Sequence, residues 1–593
     1  MNTRARVLLL LAAAVALTAM VTSAASADNQ SGFKTSGPSM LTAVKAGVQV
    51  TPLLTVGDTL SSGYRFESIP DGISVMTRGE GRADLFVNHE TSKVPFPYVT
   101  AGPTAANSEN DFDNAQVSRL ILNQHSAGVL NGSFVIPSSE GYQRFCSNYL
   151  ATEKEGFDRD IFFTNEETPD YVFRRQASWP PQIGDPAEKE SGLVVALDAK
   201  NGKHHPIYGM GRHNHENNVA IPGFDDLVVL SGDDTFTSGP LTIPPGGPIP
   251  VPVPGPPVTR PAQSQLYSYI AGDTHSLLAD EGDLWAFVSD NASFNDYYDF
   301  VPGSTQSVSG KFVKVPKNIA TGLDTDGSEL KAADVGYPLP PTNGSWQRDL
   351  RTTTPIGIDG PQWVLEYWSQ LSNVFQFVRV EDIAYDKRPG MENVVYVVDS
   401  GRGTAGTPAA GVSTNGRVWK VVFDRNDPTV VTSLSVFVEG DDSAVKTLTE
   451  IHQPDNIETT ATGILVTEDP GSSQQFPANS SDPSATTARL WYVPYSGAGA
   501  QVVVKIDQSA DGPTGPTDVD GRPAGNWGAW ETTGIVDASA AFGPGAFLIN
   551  VQAHTLWIEK APGEDTFIDA NSDPDFTYKR EGGQLLLLNI PGV

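Results

Sequence analysis

"NVVYVVDSGRG", Asn393–Gly403, is the stretch on which the reading of the fold turns. Five residues with strong strand preference, Val394–Val398, stop at Asp399 and a glycine-flanked turn. The run is too short and too β-branched for a helix. Its shape recurs in "ADLFVNHE" (Ala83–Glu90), "DIFFTNEE" (Asp160–Glu167), "GLVVALDAKNGK" (Gly192–Lys203) and "DLVVLSGDD" (Asp226–Asp234). It recurs again in "GRVWKVVFDRND" (Gly416–Asp427), "TGILVTEDPG" (Thr462–Gly471) and "ARLWYVPYSG" (Ala488–Gly497). Fifty-seven glycines and 45 prolines agree with many turns and few helices. "ADVGYPL" (Ala333–Leu339) and "GPQWVLEYWSQLSN" (Gly360–Asn373) are the best candidates for short helices. So many short strands in 593 residues do not suit one sandwich. A propeller adds blades without enlarging a single core. The expected fold is therefore all-β, a single large β-propeller with loop insertions, and tandem sandwiches are the alternative. "PLTIPPGGPIPVPVPGPPVTRPAQ", Pro240–Gln263, reads as one insertion, extended and polyproline-like.

The chain opens with the marks of an export signal. Arg4 and Arg6 precede the apolar run "VLLLLAAAVALTAMV", and "ASA" at Ala25–Ala27 offers small residues for cleavage. Residues 1–27 are thus expected to be removed, leaving a secreted propeller domain over 28–593, without a membrane span and monomeric. Seventy acidic against 39 basic residues give a net charge of −31, which argues against nucleic acid as a partner. An anionic substrate would need cations to reverse the local sign. The single cysteine, Cys146, forms no intrachain disulfide and reads as a small buried residue.

The acidic residues fall at strand ends. They include Glu90, Glu166, Glu167, Glu216, Asp233, Asp234, Glu381, Asp382, Asp399, Asp455 with Asn456 beside it, Glu468 and Asp469. In a propeller such ends converge at the mouth of the central channel. Carboxylates gathered there repel one another unless metal ions neutralise them. Oxygen donors of this kind suit calcium, and glutamates also hold iron. For one residue alone, a solvated turn is the simpler reading. In "GRHNHENN" (Gly211–Asn218), His213 and His215 share one face of a strand, which raises a zinc pair as an alternative to packing.

"YRFESIPDGISVMTRGEGRADLFVNHE" (Tyr64–Glu90) resembles the opening of proteins in the PhoX alkaline phosphatase family. "FFTNEE", "GRHNHENN" with "SGDD", "FVRVEDIAYD", and "PDNIE" with "TED" follow in the family's order. The resemblance implies a secreted β-propeller phosphatase that uses calcium and iron. It assigns Glu216 to iron, and Arg379 to the phosphate beside the metal ligand Glu381. It assigns Asp233, Asp234, Asp455 and Asn456 to calcium, with Glu90 and Glu468 fitting less closely. Family members carry a bridging cysteine directly before the paired glutamates, where this chain has Asn165 before Glu166 and Glu167. Calcium is therefore the expected cofactor, and that departure counts against Fe3+. The export signal departs as well, because Ala5 separates Arg4 from Arg6.

The expected activity is hydrolysis of a small phosphorylated substrate, a phosphate monoester. Metal would polarise the phosphoryl oxygens and Arg379 would offer a planar fork to them. No G-x-S-x-G elbow or P-loop supports a covalent or nucleotide route. The alternatives are a non-catalytic, calcium-stabilised propeller that binds a surface or matrix partner, and a phytase or phosphodiesterase on the same scaffold.

Overall fold

The computed structural model describes residues 31–67, 69–90, 114–168, 171–172, 189–235, 241–243, 258–260, 264–303, 305–340, 358–401, 415–440, 449–469, 486–508, 530–559 and 576–593. The expected signal segment lies outside them. So does most of the proline-rich insertion, although Leu241–Ile243 and Val258–Arg260 pair antiparallel at its base.

Strands hydrogen-bond to their sequence neighbours in four-stranded units arranged round an axis, and each unit is a blade. The innermost strands, in chain order, are Pro70–Arg78, Phe145–Ala151, His215–Ile221, Val380–Tyr385, Pro454–Thr459 and Trp530–Asp537. Among the described residues these six form a closed ring, each packed on the next and the last on the first. The tandem-sandwich alternative is excluded by that closure.

Among the described residues, blades one, two, five and six are separate sheets. Blades three and four merge into one nine-stranded sheet, because Ser307–Lys314 pairs with the outer strands of both, Asp283–Ser289 and Val430–Glu439. The outer strand of blade six is Gln49–Thr55, paired with Phe576–Asn589. Leu41–Ala43 adds a fifth strand outside blade five.

Burial on both faces explains the opening stretch. Val395 and Val397 pack with Val228, Leu230 and Trp419 in the seam toward blade three. Val394, Tyr396 and Val398 pack with Ile457, Val466 and Trp491 in the seam toward blade five. Alternate side chains of one strand thus enter different seams, so neither parity can be polar. Each such side chain contributes about 1.5–3 kcal/mol on burial. The other seams repeat the arrangement, for example Phe162 toward blade one and Phe163 toward blade three.

The expected helix at Gly360–Asn373 forms as Pro361–Leu371, with Pro361 in its first turn, where a missing N–H costs nothing. It is buried throughout, and Gln362 Nε2 donates to Thr168 O (2.8 Å) and Ser191 O (3.0 Å). "ADVGYPL" yields only the 3₁₀ turn Ala332–Val335, stopped by left-handed Gly336. No helix among the described residues is long and apolar enough to cross a membrane.

Candidate metal centre

The second residue of every inner strand is a potential ligand: Asp71, Cys146, Glu216, Glu381, Asp455 and Glu531. All six are buried. In the first five blades the ladder to the neighbouring strand shifts register at this point. The shifts lie between Pro70 and Ile73, Phe145 and Asn148, His215 and Asn218, Val380 and Ile383, and Pro454 and Ile457. Such a bulge releases a residue from the ladder and re-aims its side chain. One mouth of the channel thereby collects acidic groups from separate blades.

These groups make three adjoining trios, with the ligand atoms of each within 4.8 Å of one another. Asp71, Glu90 and Cys146 form the first; Cys146, Glu167 and Glu216 the second; Glu216, Glu381 and Asp455 the third. Cys146 and Glu216 are shared, so the trios run as one chain of sites. Cys146 Sγ donates to Asp71 Oδ2 at 2.8 Å. Ser147 Oγ donates to Glu216 Oε1 at 2.6 Å, and Ser400 Oγ donates to Glu381 Oε1.

Burial pushes Glu167, Glu216, Glu381, Asp455 and Glu531 well above the usual carboxylate range, and the charges of their neighbours add to that. The Cys146 thiol is raised for the same reasons, burial first and then Asp71 and Glu216. The set holds too much negative charge for a dry site without cations. Glu90 Oε2 is buried and accepts no hydrogen bond, although Arg144 Nη1 lies 3.4 Å from it. The donor chemistry fits cations: three carboxylates in the third trio suit calcium, and sulfur beside carboxylates suits a softer transition metal.

Strand-end carboxylates divide into two kinds. Glu90, Glu167 and Asp234 follow the second strands of blades one to three, Arg82–His89, Ile161–Glu166 and Leu227–Asp233; Glu90 and Glu167 join the trios, and Asp234 meets Arg379. The acids that close the strands themselves, Glu166, Asp233 and Glu468, behave differently. Glu166 accepts from Gln143 N (2.9 Å) and Leu193 N (3.0 Å). Glu468 accepts from His452 N, Arg489 N, Nε and Nη2, and Trp491 Nε1, all at 2.8–2.9 Å. Asp233 accepts from Thr235 Oγ1 at 2.8 Å, and its raised pKa reflects burial and then Glu366. These three bind protein donors and join none of the trios. Asn456 also turns to protein, donating to Ser147 Oγ (2.8 Å) and accepting from Thr533 Oγ1 (2.7 Å).

Arg379 precedes the fourth inner strand with a left-handed φ of 59°. Its Nε and Nη2 reach Asp234 Oδ1 and Oδ2, both at 3.0 Å, and Nη2 lies 3.1 Å from Glu381 Oε1. The Asp234 fork fixes the guanidinium plane beside the third trio.

The two histidines of "GRHNHENN" lie ring against ring, centroids 3.5 Å apart. His215 Nδ1 meets Ser231 Oγ at 2.8 Å and Nε2 meets Gly211 O at 3.1 Å; burial lowers its pKa to about 3. Neither belongs to a metal-competent group among the described residues. They serve packing, the alternative to zinc.

Sequence reasoning missed three residues. Asp71 and Glu531 were not singled out, and Cys146 read as packing although its sulfur is shared by two trios. A signal for Asp71 was present: "DGI" at Asp71–Ile73, "EDI" at Glu381–Ile383 and "DNI" at Asp455–Ile457 repeat acid-x-Ile at the same place in three inner strands.

No protein-family model matches the sequence, and no curated protein matches it. Among solved structures the fold is similar to that of Pseudomonas fluorescens PhoX in complex with vanadate, a transition-state analogue. The TM-score is 0.52 at 14% identity, over 94% of this chain and 98% of the other, so the likeness is one of fold across nearly the whole length of both.

Proposed function

We propose that this chain is a secreted, metal-dependent hydrolase of phosphate monoesters. The observation that carries the reading is the placement of Arg379, a guanidinium fixed by Asp234 and 3.1 Å from Glu381 at the edge of the Glu216–Glu381–Asp455 trio. Bound cations would supply Lewis acidity toward the phosphoryl oxygens. The chain's own residues do the rest. Glu216, Glu381 and Asp455 would hold a cation, with Ser147 and Ser400 orienting two of them. Arg379 directs N–H donors at the phosphate and matches the charge that develops on it.

Calcium in the carboxylate trio and a transition metal, iron among the candidates, at Cys146 follow from the donor types. Asn165 loses its weight against iron on this reading. It holds the frame instead, donating from Nδ2 to Ser147 O at 3.0 Å, and Cys146 offers the sulfur. Glu166, Asp233, Asn456 and Glu468 then act behind the ligands, holding the strands that carry them. A small phosphorylated substrate and a monomeric, exported chain complete the proposal.

The test is turnover of an aryl phosphate by the mature chain loaded with calcium, with and without iron, against a chelated control. Hydrolysis that disappears on chelation and returns with metal is expected. Arg379→Ala should then lower the rate per folded molecule about 100- to 1000-fold. A metal-loaded protein that turns over no phosphate ester overturns the proposal.

A further inference from the structure

Two arginines occupy the same position in different blades. Arg144 immediately precedes the second inner strand and Arg379 the fourth, each two residues before an inward side chain, Cys146 or Glu381. Both are left-handed, with φ of 40° and 59°. Backbone of this kind is strained for a residue with a Cβ and persists where the surroundings demand it. Each guanidinium reaches the acid that follows the second strand of the preceding blade: Arg144 reaches Glu90 at 3.4 Å, and Arg379 reaches Asp234 at 3.0 Å. Each also reaches an acid of a trio, Glu167 at 3.9 Å or Glu381 at 3.1 Å. Blade five repeats the backbone without the charge. There Gln453 has φ of 43°, and the residue following the second strand of blade four is Ser400, which is no acid.

The two arginines differ in access. The Arg144 side chain is 36% exposed against 15% for Arg379, and its contacts with Glu90 and Glu167 are longer. It stands where the first and second trios meet, since Glu90 belongs to one and Glu167 to the other. Glu167 leads through Glu216 to Glu381, so the guanidiniums flank one line of carboxylates.

We infer that Arg144 is a second phosphate-contacting residue, reaching the bound phosphoryl group from blade two as Arg379 does from blade four. The inference rests on the phosphatase reading above. It also narrows the substrate: a monoester keeps three non-bridging oxygens for two guanidiniums and the cations, whereas a diester keeps two.

The experiment uses the cation-loaded mature chain and inorganic phosphate as probe. Phosphate binding by calorimetry, phosphate inhibition of aryl phosphate turnover, melting temperature and cation content are measured for wild type, Arg144→Gln and Arg144→Lys. Arg144→Gln should weaken phosphate binding and raise KM about 10- to 100-fold, with a smaller effect on kcat. Arg144→Lys keeps the charge facing Glu90 and Glu167 but not the planar fork. It should retain melting temperature and cation content while phosphate affinity still falls about tenfold. The lysine variant decides the matter if the glutamine variant does not fold. Wild-type phosphate affinity in Arg144→Lys would show that Arg144 only neutralises its neighbours and would overturn the inference, leaving the phosphatase reading in place. A wild-type protein that neither binds phosphate nor turns over the ester overturns both.

Discussion

The buried carboxylates at the channel mouth have opposite duties, and substitution should separate them. Glu468 faces five N–H donors and pairs with Arg489, itself almost wholly buried. Glu468→Ala strands that guanidinium and should cost about 3–5 kcal/mol of stability. Glu216→Gln, by contrast, removes a ligand shared by two trios while keeping the side-chain shape. It should lower the cation content and leave the fold intact; a melting curve and metal analysis of both variants check the pair. A loss of cation from the Glu468 variant at unchanged stability would reverse the assignment. The sequence placed acids at strand ends, but it could not say which of Glu166 and Glu167 faces the channel. That choice is a matter of strand parity, fixed by where the strand meets its neighbour. Cys146 was illegible for a simpler reason: a lone cysteine has no pattern to belong to.

At the scale of elements, the strands were readable because turn residues end them, and the two-seam burial of Val394–Val398 accounts for their unbroken apolar runs. The bulges were not readable, since they depend on pairing between strands. One glycine ties such a bulge to the next blade. A Cβ on Gly232 would lie 2.7 Å from Glu381 O and 2.9 Å from Val380 Cγ1. The second strand of blade three therefore approaches the fourth inner strand as closely as backbone permits. Gly232→Ala should cost about 1–3 kcal/mol through overpacking. It should also push Glu381 off its trio, so cation affinity should fall with the melting temperature. Retained affinity in a destabilised variant would show that the strand, and not the ligand, absorbs the strain.

Across the whole molecule, the inward acids make stability depend on cations and on pH together. Unfolded carboxyls titrate near 4, whereas burial and the Glu90 charge push Asp71 up to about 8. The cation-free native state therefore keeps protons that the unfolded chain has released. This contribution to its stability is full below about pH 4 and is lost as pH rises toward about 8. Cations bound at the trios would replace those protons and bind more tightly over the same window. The difference in melting temperature between calcium-loaded and chelated protein should widen from about pH 5 to about pH 8. A difference that is constant or shrinking would count against cations at the trios. The opposite end of the channel should contribute little to this difference. A cavity of about 1010 Å³ opens there, lined by Tyr149, Tyr385, Lys387, Glu458 and Asp537, and Lys387 pairs with Glu458 at 2.5 Å. Ring closure itself was not legible, because long insertions hide the blade period and the outer strand of blade six comes from early in the chain. That strand sets a timetable for biosynthesis. Gln584 Nε2 donates to Thr55 Oγ1 across 529 residues. At 5–20 residues per second, Gln49–Thr55 waits roughly half a minute to two minutes for Phe576–Asn589 to leave the ribosome. Throughout that interval the nascent chain carries an unpaired strand edge, and holding it apart from other chains is work for a chaperone.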